Sequence, residues 1–187
     1  MTLTMTAMAP ADRDFPWTEE EFLALDEIAD RVELWDGDLR VSASPTPWHQ
    51  HVITELLIAL RLPSRERGLR VHSAINLRLK PNRIVIPDLT ITSAIDFHER
   101  VVPSDLARLV CEVTSPSNAA TDRVLKMHYY AEAGIPWYLV VEHVTAGLWL
   151  YRLEGEKYEL DGVAEQGETL RLVEPVTAEI RPESLLP

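Results

Sequence analysis

The stretch Leu109-Val110-Cys111-Glu112-Val113 constrains the fold more than any other part of the chain. A near-continuous apolar run of this kind reads as a strand buried on both faces of a sheet. A carboxylate inside such a run is costly unless it is paired or bound to a metal. Two more carboxylates stand in similar surroundings: Glu33 within Val32-Glu33-Leu34-Trp35, and Asp88 after Pro87 inside the apolar stretch from Ile84 to Ile91. One such residue could mark a strand end; three call for a common explanation.

The rest of the chain supplies a sheet and helices to pack on it. Thr18, with Glu21 three residues on and apolar Phe22, Leu25 and Ile28, opens a helix expected to end near Asp30. Arg31 to Trp35 and Leu39 to Ala43 read as two strands joined at Asp36-Gly37, a strong hairpin signal. After a turn at Ser44 to Pro47, a second helix runs from about Trp48 to Arg61 on the spacing of Val52, Ile53, Leu56, Leu57 and Leu60, with Pro63 and Gly68 closing it. Leu69 to Leu79 reads as one strand, and Ile84 to Ile91 as another, broken by Pro87-Asp88. Leu106 to Thr114 is the buried strand, ended by Ser115-Pro116-Ser117. A helix from about Ala120 to Ala133 follows, stopped by Gly134. Trp137 to Glu142 and Leu148 to Leu153 are strands, with weaker ones at Lys157 to Leu160 and Thr169 to Val173. This order predicts an α/β fold of the α+β type, a mixed sheet core flanked by helices. With 187 residues the expectation is a leader over 1–17 and a single domain over 18–187.

Composition narrows the setting. The hydrophobic fraction of 46% and charged fraction of 26% are those of a globular protein. No apolar run approaches the length that spans a bilayer, and residues 1–17 lack a secretory pattern. The single cysteine, Cys111, excludes an internal disulfide and a cysteine zinc cluster. A cytoplasmic location is expected. A net charge of −12 argues against non-specific coating of nucleic acid. Yet Arg61, Arg65, Arg67, Arg70, Arg78, Lys80 and Arg83 fall close together, with only Glu66 against them. They form either a solvated face or a basic surface for a phosphate backbone.

If Asp88 and Glu112 lie on adjacent strands, their oxygens can converge on one hard cation, with a backbone carbonyl such as that of Val113 as a further ligand. Carboxylates without clustered His or Cys point to Mg2+ or Mn2+ rather than zinc. Lys126 shares a helix face with Asp122 and Tyr130. Beside such a site it can orient a water or accept its proton, and a neighbouring cation with partial burial would favour its neutral form. Alone, an Asp122–Lys126 pair would be a weak surface contact. His49 either touches a phosphate or caps the helix start. Tyr130 reads more as core than as a hydrogen-bond partner of a carboxylate, and Cys111 as a small core residue.

Pro87-Asp88 followed by Glu112-Val113-Thr114 resembles the PD-(D/E)XK nuclease motif. That motif usually has a lysine where Thr114 stands; some members carry it on the following helix, where Lys126 lies. Over residues 18 to 153 the chain also resembles the Uma-two family of restriction-endonuclease-like proteins. The matching pieces are Val32 to Leu39, Ser44-Pro45 to His49, Ile86 to Leu89, Cys111 to Ser117, Asp122 to Lys126 and Tyr130 to Gly134. The resemblance implies a restriction-endonuclease-like fold and a Mg-dependent endonuclease that hydrolyses phosphodiester bonds of nucleic acid, DNA above all. Asp88 and Glu112 would be metal ligands, Glu33 a further ligand or water-holding group, and Lys126 the residue that positions or deprotonates water. His49, Tyr130, Arg61 and Arg65 are candidate substrate contacts, and a homodimer would suit cutting two strands. Two alternatives remain: a catalytically inactive module of the same fold that binds nucleic acid or a protein, and a metal hydrolase of small phosphoesters.

Overall fold

The computed structural model describes residues 16–25, 31–42, 44–114 and 121–187, the side chains of 121–123 excepted. The leader before Pro16, the expected helix end at Asp30, the Ser115-Pro116-Ser117 turn and the Asp122 side chain lie outside the described residues.

A short helix α1 (Glu19–Leu23) starts at a capping box in which Thr18 and Glu21 exchange hydrogen bonds. The hairpin β1 (Arg31–Trp35) and β2 (Asp38–Ser42) follows, turning at Asp36-Gly37 with both residues at positive φ. Helix α2 spans Pro47–Glu66, capped by Thr46, whose hydroxyl accepts from the His49 amide. It is longer than its apolar spacing suggests and carries Pro63 inside its last turns. Leu60 and Ser64 are both buried there, so packing of this face carries the helix past the proline.

The two stretches read as single strands each divide. Leu69 to Leu79 becomes β3 (Arg70–Ser73) and β4 (Leu77–Lys80), separated where Ala74 takes a positive φ. Ile84 to Ile91 becomes β5 (Arg83–Val85) and β6 (Leu89–Thr92). A two-residue strand β7 (Val102–Pro103) precedes β8 (Ala107–Val113), which leads into α3 (Thr121–Glu132) and β9 (Trp137–Val141). The chain closes with β10 (Leu148–Glu154), β11 (Lys157–Ala164), β12 (Leu170–Leu172) and β13 (Ala178–Ile180).

Among the described residues these strands form one sheet in the order β2-β1-β5-β4-β7, a larger one in the order β11-β10-β9-β8-β6-β3, and the pair β12-β13. β8 and β9 run parallel, so α3 is the crossover of a βαβ unit. Every other neighbour in the larger sheet is antiparallel. The result is a mixed α+β fold with helices flanking mixed sheets, as expected from the order of elements.

β8 is buried on both faces. Leu109, Cys111 and Val113 join Leu56 and Leu60 of α2 in one core, while Val110 joins Tyr130 of α3 and Leu77 and Val85 of the smaller sheet in another. A fully buried Val, Leu or Ile side chain contributes about 1.5–3 kcal/mol relative to exposure, so α2 is held by Val52, Ile53, Leu56 and Leu60 together. Glu112 falls on the α3 side of this strand, between the two sheets. No helix among the described residues is long and apolar enough to cross a membrane.

Candidate active site

The chain passes from the smaller sheet to the larger at Ile86-Pro87-Asp88, between β5 and β6. A backbone changing sheets leaves the ladder, and its polar groups need other partners. Side chains of β1 supply them. The Ile86 amide donates to Glu33 Oε1 at 2.7 Å, and Arg31 donates to the Ile86 carbonyl. Residues two apart on a strand share a face, so Arg31, Glu33 and Trp35 point the same way. Trp35 Nε1 donates to Glu33 Oε2 at 3.0 Å, while Val32 and Leu34 pack on the other face with Phe22 and Ile84.

In the antiparallel register of β6 and β8, Leu89 faces Cys111, and Asp88, one residue before β6, lies within electrostatic reach of Glu112, one residue further along β8. Asp88 is almost fully buried. Its Oδ1 accepts from Arg31 Nη1 at 2.6 Å and lies 3.3 Å from His49 Nε2; its Oδ2 accepts from the Val113 amide at 2.8 Å. Glu112 Oε1 accepts from Lys126 Nζ at 2.9 Å and from the Tyr130 hydroxyl at 2.5 Å. Lys126 also reaches Glu33 Oε1 at 3.3 Å. Lys126 and Tyr130, one helical turn apart on α3, thus both bind Glu112.

The electrostatics follow from burial and these partners. Burial alone would raise Asp88, but the His49 hydrogen bond and the Arg31 charge overcome it and hold the carboxyl at about 2. Burial pushes Glu112 up, against the pull of Lys126, with Asp88 and Glu33 adding to the rise. For Lys126, burial works toward the neutral amine, but Glu112 and Glu33 outweigh it and raise the ammonium. With carboxylates as its nearest charges Lys126 is held as the ammonium; the neutral form expected from the sequence is tied to a cation beside it. Cys111 is driven well up by burial, in keeping with a core residue rather than a nucleophile.

The acid response of Asp88 has a definite sign. Its folded value of about 2 lies below the ordinary 3.8, so its stabilisation, on the order of 2 kcal/mol, is present above pH 3.8 and is lost as pH falls through about 2. In chelator, Asp88→Asn is expected to flatten the stability–pH slope between about 4 and 2 by roughly one proton. The lowered carboxylates Asp36, Glu132 and Glu142 keep their share. Denaturant titrations at stepped pH with an unchanged slope would remove this account of Asp88.

Two neighbouring carboxylates are a donor set that fits a hard divalent ion. Magnesium commonly takes one or two carboxylates from a protein and completes its shell with water and substrate phosphate. Among the described residues both hydrogen bonds to Glu112 end on Oε1, so Oε2 is the oxygen that would face another ligand. No set of three or more His, Cys, Asp or Glu side chains converges in ion-binding geometry among the described residues. Glu33 has both oxygens engaged by Ile86, Trp35 and Lys126, which places it as a support of the junction. Val113 meets Asp88 through its amide.

Asp88, Glu112, Lys126, Glu33, His49 and Tyr130 thus come together. Arg61 and Arg65 do not join them. They are exposed on the far half of α2, and the twelve residues from His49 to Arg61 correspond to about 18 Å of helix. The basic stretch is also dispersed. Arg78 pairs with Glu19, Arg83 with Asp36 and Glu132, Lys80 with the same two carboxylates, and Arg67 with Glu174. Sequence reasoning missed Arg31 and Trp35. Their two-residue spacing from Glu33 was the available signal.

Fold and site together define a restriction-endonuclease-like α+β protein with a carboxylate–lysine cluster at a sheet junction. A sequence model of the Uma2 family, described as "Putative restriction endonuclease", matches residues 19–183, and the chain belongs to that family. Among solved structures it is similar to the crystal structure of a "putative nuclease belonging to DUF820" from Anabaena variabilis. The identity is 16%, the TM-score 0.73, and the match covers 91% of this chain and 97% of that one. No curated protein matches the sequence significantly.

Proposed function

We propose that the chain is a divalent-metal-dependent endonuclease that hydrolyses phosphodiester bonds in nucleic acid, DNA above all, and that residues 18–187 act as one cytoplasmic unit. The observation that carries this reading is the buried Asp88, just before β6, within electrostatic reach of Glu112 on β8, with Lys126 bound to Glu112. The family description supports the nuclease class and, through the word restriction, DNA as substrate.

Asp88 and Glu112 would hold Mg2+ or Mn2+, which when bound supplies Lewis acidity at the phosphoryl oxygen and a nucleophilic water. Lys126, kept charged by Glu112 and Glu33, offsets charge that develops on the phosphate and orients the attacking water. In this role it acts as an electrostatic group rather than as the base. Tyr130 fixes the rotamer of Glu112 through its 2.5 Å hydrogen bond. His49, at the amino end of α2 and 3.3 Å from Asp88, would meet a phosphate there. A homodimer would bring two such sites to the two strands of a duplex.

A second reading, a nuclease-fold module that binds without cutting, is favoured by one observation: Asp88 is already engaged by Arg31, His49 and the Val113 amide. Supercoiled plasmid and a labelled single-stranded oligonucleotide, each with Mg2+, Mn2+ or chelator, separate the two. The nuclease predicts nicked or linear plasmid with metal and none with chelator. Retained binding of both polymers without cleavage in either metal would move the conclusion to the binding module.

A further inference from the structure

Arg31 is the residue whose place the proposed chemistry does not use. Its guanidinium lies 2.6 Å from Asp88 Oδ1 and also binds the Ile86 carbonyl. It sits in the combined field of Asp88, Glu112 and Glu33. A cation held against the carboxylate that would carry a metal ion is a stand-in for that ion.

We propose that Arg31 is an exchangeable internal cation that occupies Asp88 in the resting site and yields it when a divalent ion enters. The inference rests on the reading of Asp88 and Glu112 as the metal-holding pair. Charge balance supports exchange over addition. Three carboxylates, Glu33, Asp88 and Glu112, face two permanent cations, Arg31 and Lys126, with the His49 imidazole a further neighbour of Asp88 left out of this formal count. A divalent ion added to all five groups leaves the cluster net positive in a buried setting, where an unbalanced charge is expensive. Exchange for Arg31 leaves it neutral.

Of the two cations Arg31 is the one able to leave. Its side chain is 23% exposed against 15% for Lys126, and it holds one carboxylate where Lys126 holds two. Exchange makes Arg31 a gate on metal affinity: the apparent dissociation constant is the intrinsic one divided by the fraction of molecules whose Asp88 is open.

The test is calorimetric titration of MnCl2 into the wild type, Arg31→Gln, Arg31→Lys and Asp88→Asn. Arg31→Gln is expected to bind Mn2+ at least about tenfold more tightly than wild type, because a minor open state holds at most about a tenth of the molecules. Arg31→Lys, which keeps the charge but loses the forked donor, falls between them. Asp88→Asn loses the site. Equal or weaker binding by Arg31→Gln, with the site still lost in Asp88→Asn, overturns the exchange while leaving the metal reading intact. Undiminished binding in Asp88→Asn instead removes the metal reading, and the exchange with it. Should Arg31→Gln fail to fold, the wild type answers alone. In arginine side-chain 15N spectra the Arg31 resonance should shift and lose its protection from solvent as Mg2+ saturates, and an unchanged resonance overturns the proposal.

Discussion

Asp88→Asn is expected to reduce metal-dependent cleavage by at least about a thousandfold, a loss of roughly 4 kcal/mol of transition-state stabilisation. The substitution keeps shape and leaves the Val113 amide an acceptor, so the β6–β8 register should survive. What it removes is the charge neighbouring Glu112. Steady-state cleavage rates at saturating Mg2+, with circular dichroism to verify the fold, measure this directly. Residual activity within tenfold of wild type would show that the reacting phosphate is not served by Asp88.

Lys126→Met should produce the largest combined effect on stability and rate. The ammonium is bound by Glu112 and Glu33, and all three side chains are at most 15% exposed. Removing one partner of a buried ion pair leaves uncompensated charge and typically costs about 3–5 kcal/mol. Denaturant midpoints in chelator should fall accordingly and recover in part at lower pH. Glu112, already pushed up by burial, loses the neighbour that opposes the rise and protonates more readily. Its folded value stays above the unfolded one, so ionised Glu112 costs stability at neutral pH and the cost fades as pH falls. Cleavage should drop by about a hundredfold or more if Lys126 offsets phosphate charge. A variant that loses stability but cuts at the wild-type rate once folded would leave Lys126 a structural counter-ion only.

How much of this was legible in the sequence depends on which residues broke a local rule. Glu112 and Asp88 announce themselves because a charge in an apolar strand has no inexpensive explanation, and the strand between two cores is found where the run Leu109 to Val113 required it. Lys126 followed from helical spacing, whereas Tyr130, read mainly as core, is buried and also donates to Glu112. Arg31 was passed over because a charged residue at the first position of a strand is ordinarily a solvated end, and its two-residue spacing from Glu33 was the one signal against that. The division of Leu69 to Leu79 and of Ile84 to Ile91 between two sheets was hidden for a related reason. Alternation of apolar residues reports a strand but not the sheet it joins, and only the positive φ at Ala74 and the Pro87 break show where the chain changes partner. Pro63 misled because a proline near a helix end usually stops it, whereas buried Leu60 and Ser64 hold this one on course.

The Ile86 peptide gives the site a double duty. Its amide and carbonyl have Glu33 and Arg31 where a sheet would offer neighbouring strands. The polar side chains around the catalytic candidates are therefore also the fastening between two sheets. Losing Glu33 would thus loosen the join between the two sheets as well as alter the cluster, a penalty on architecture separate from any on chemistry.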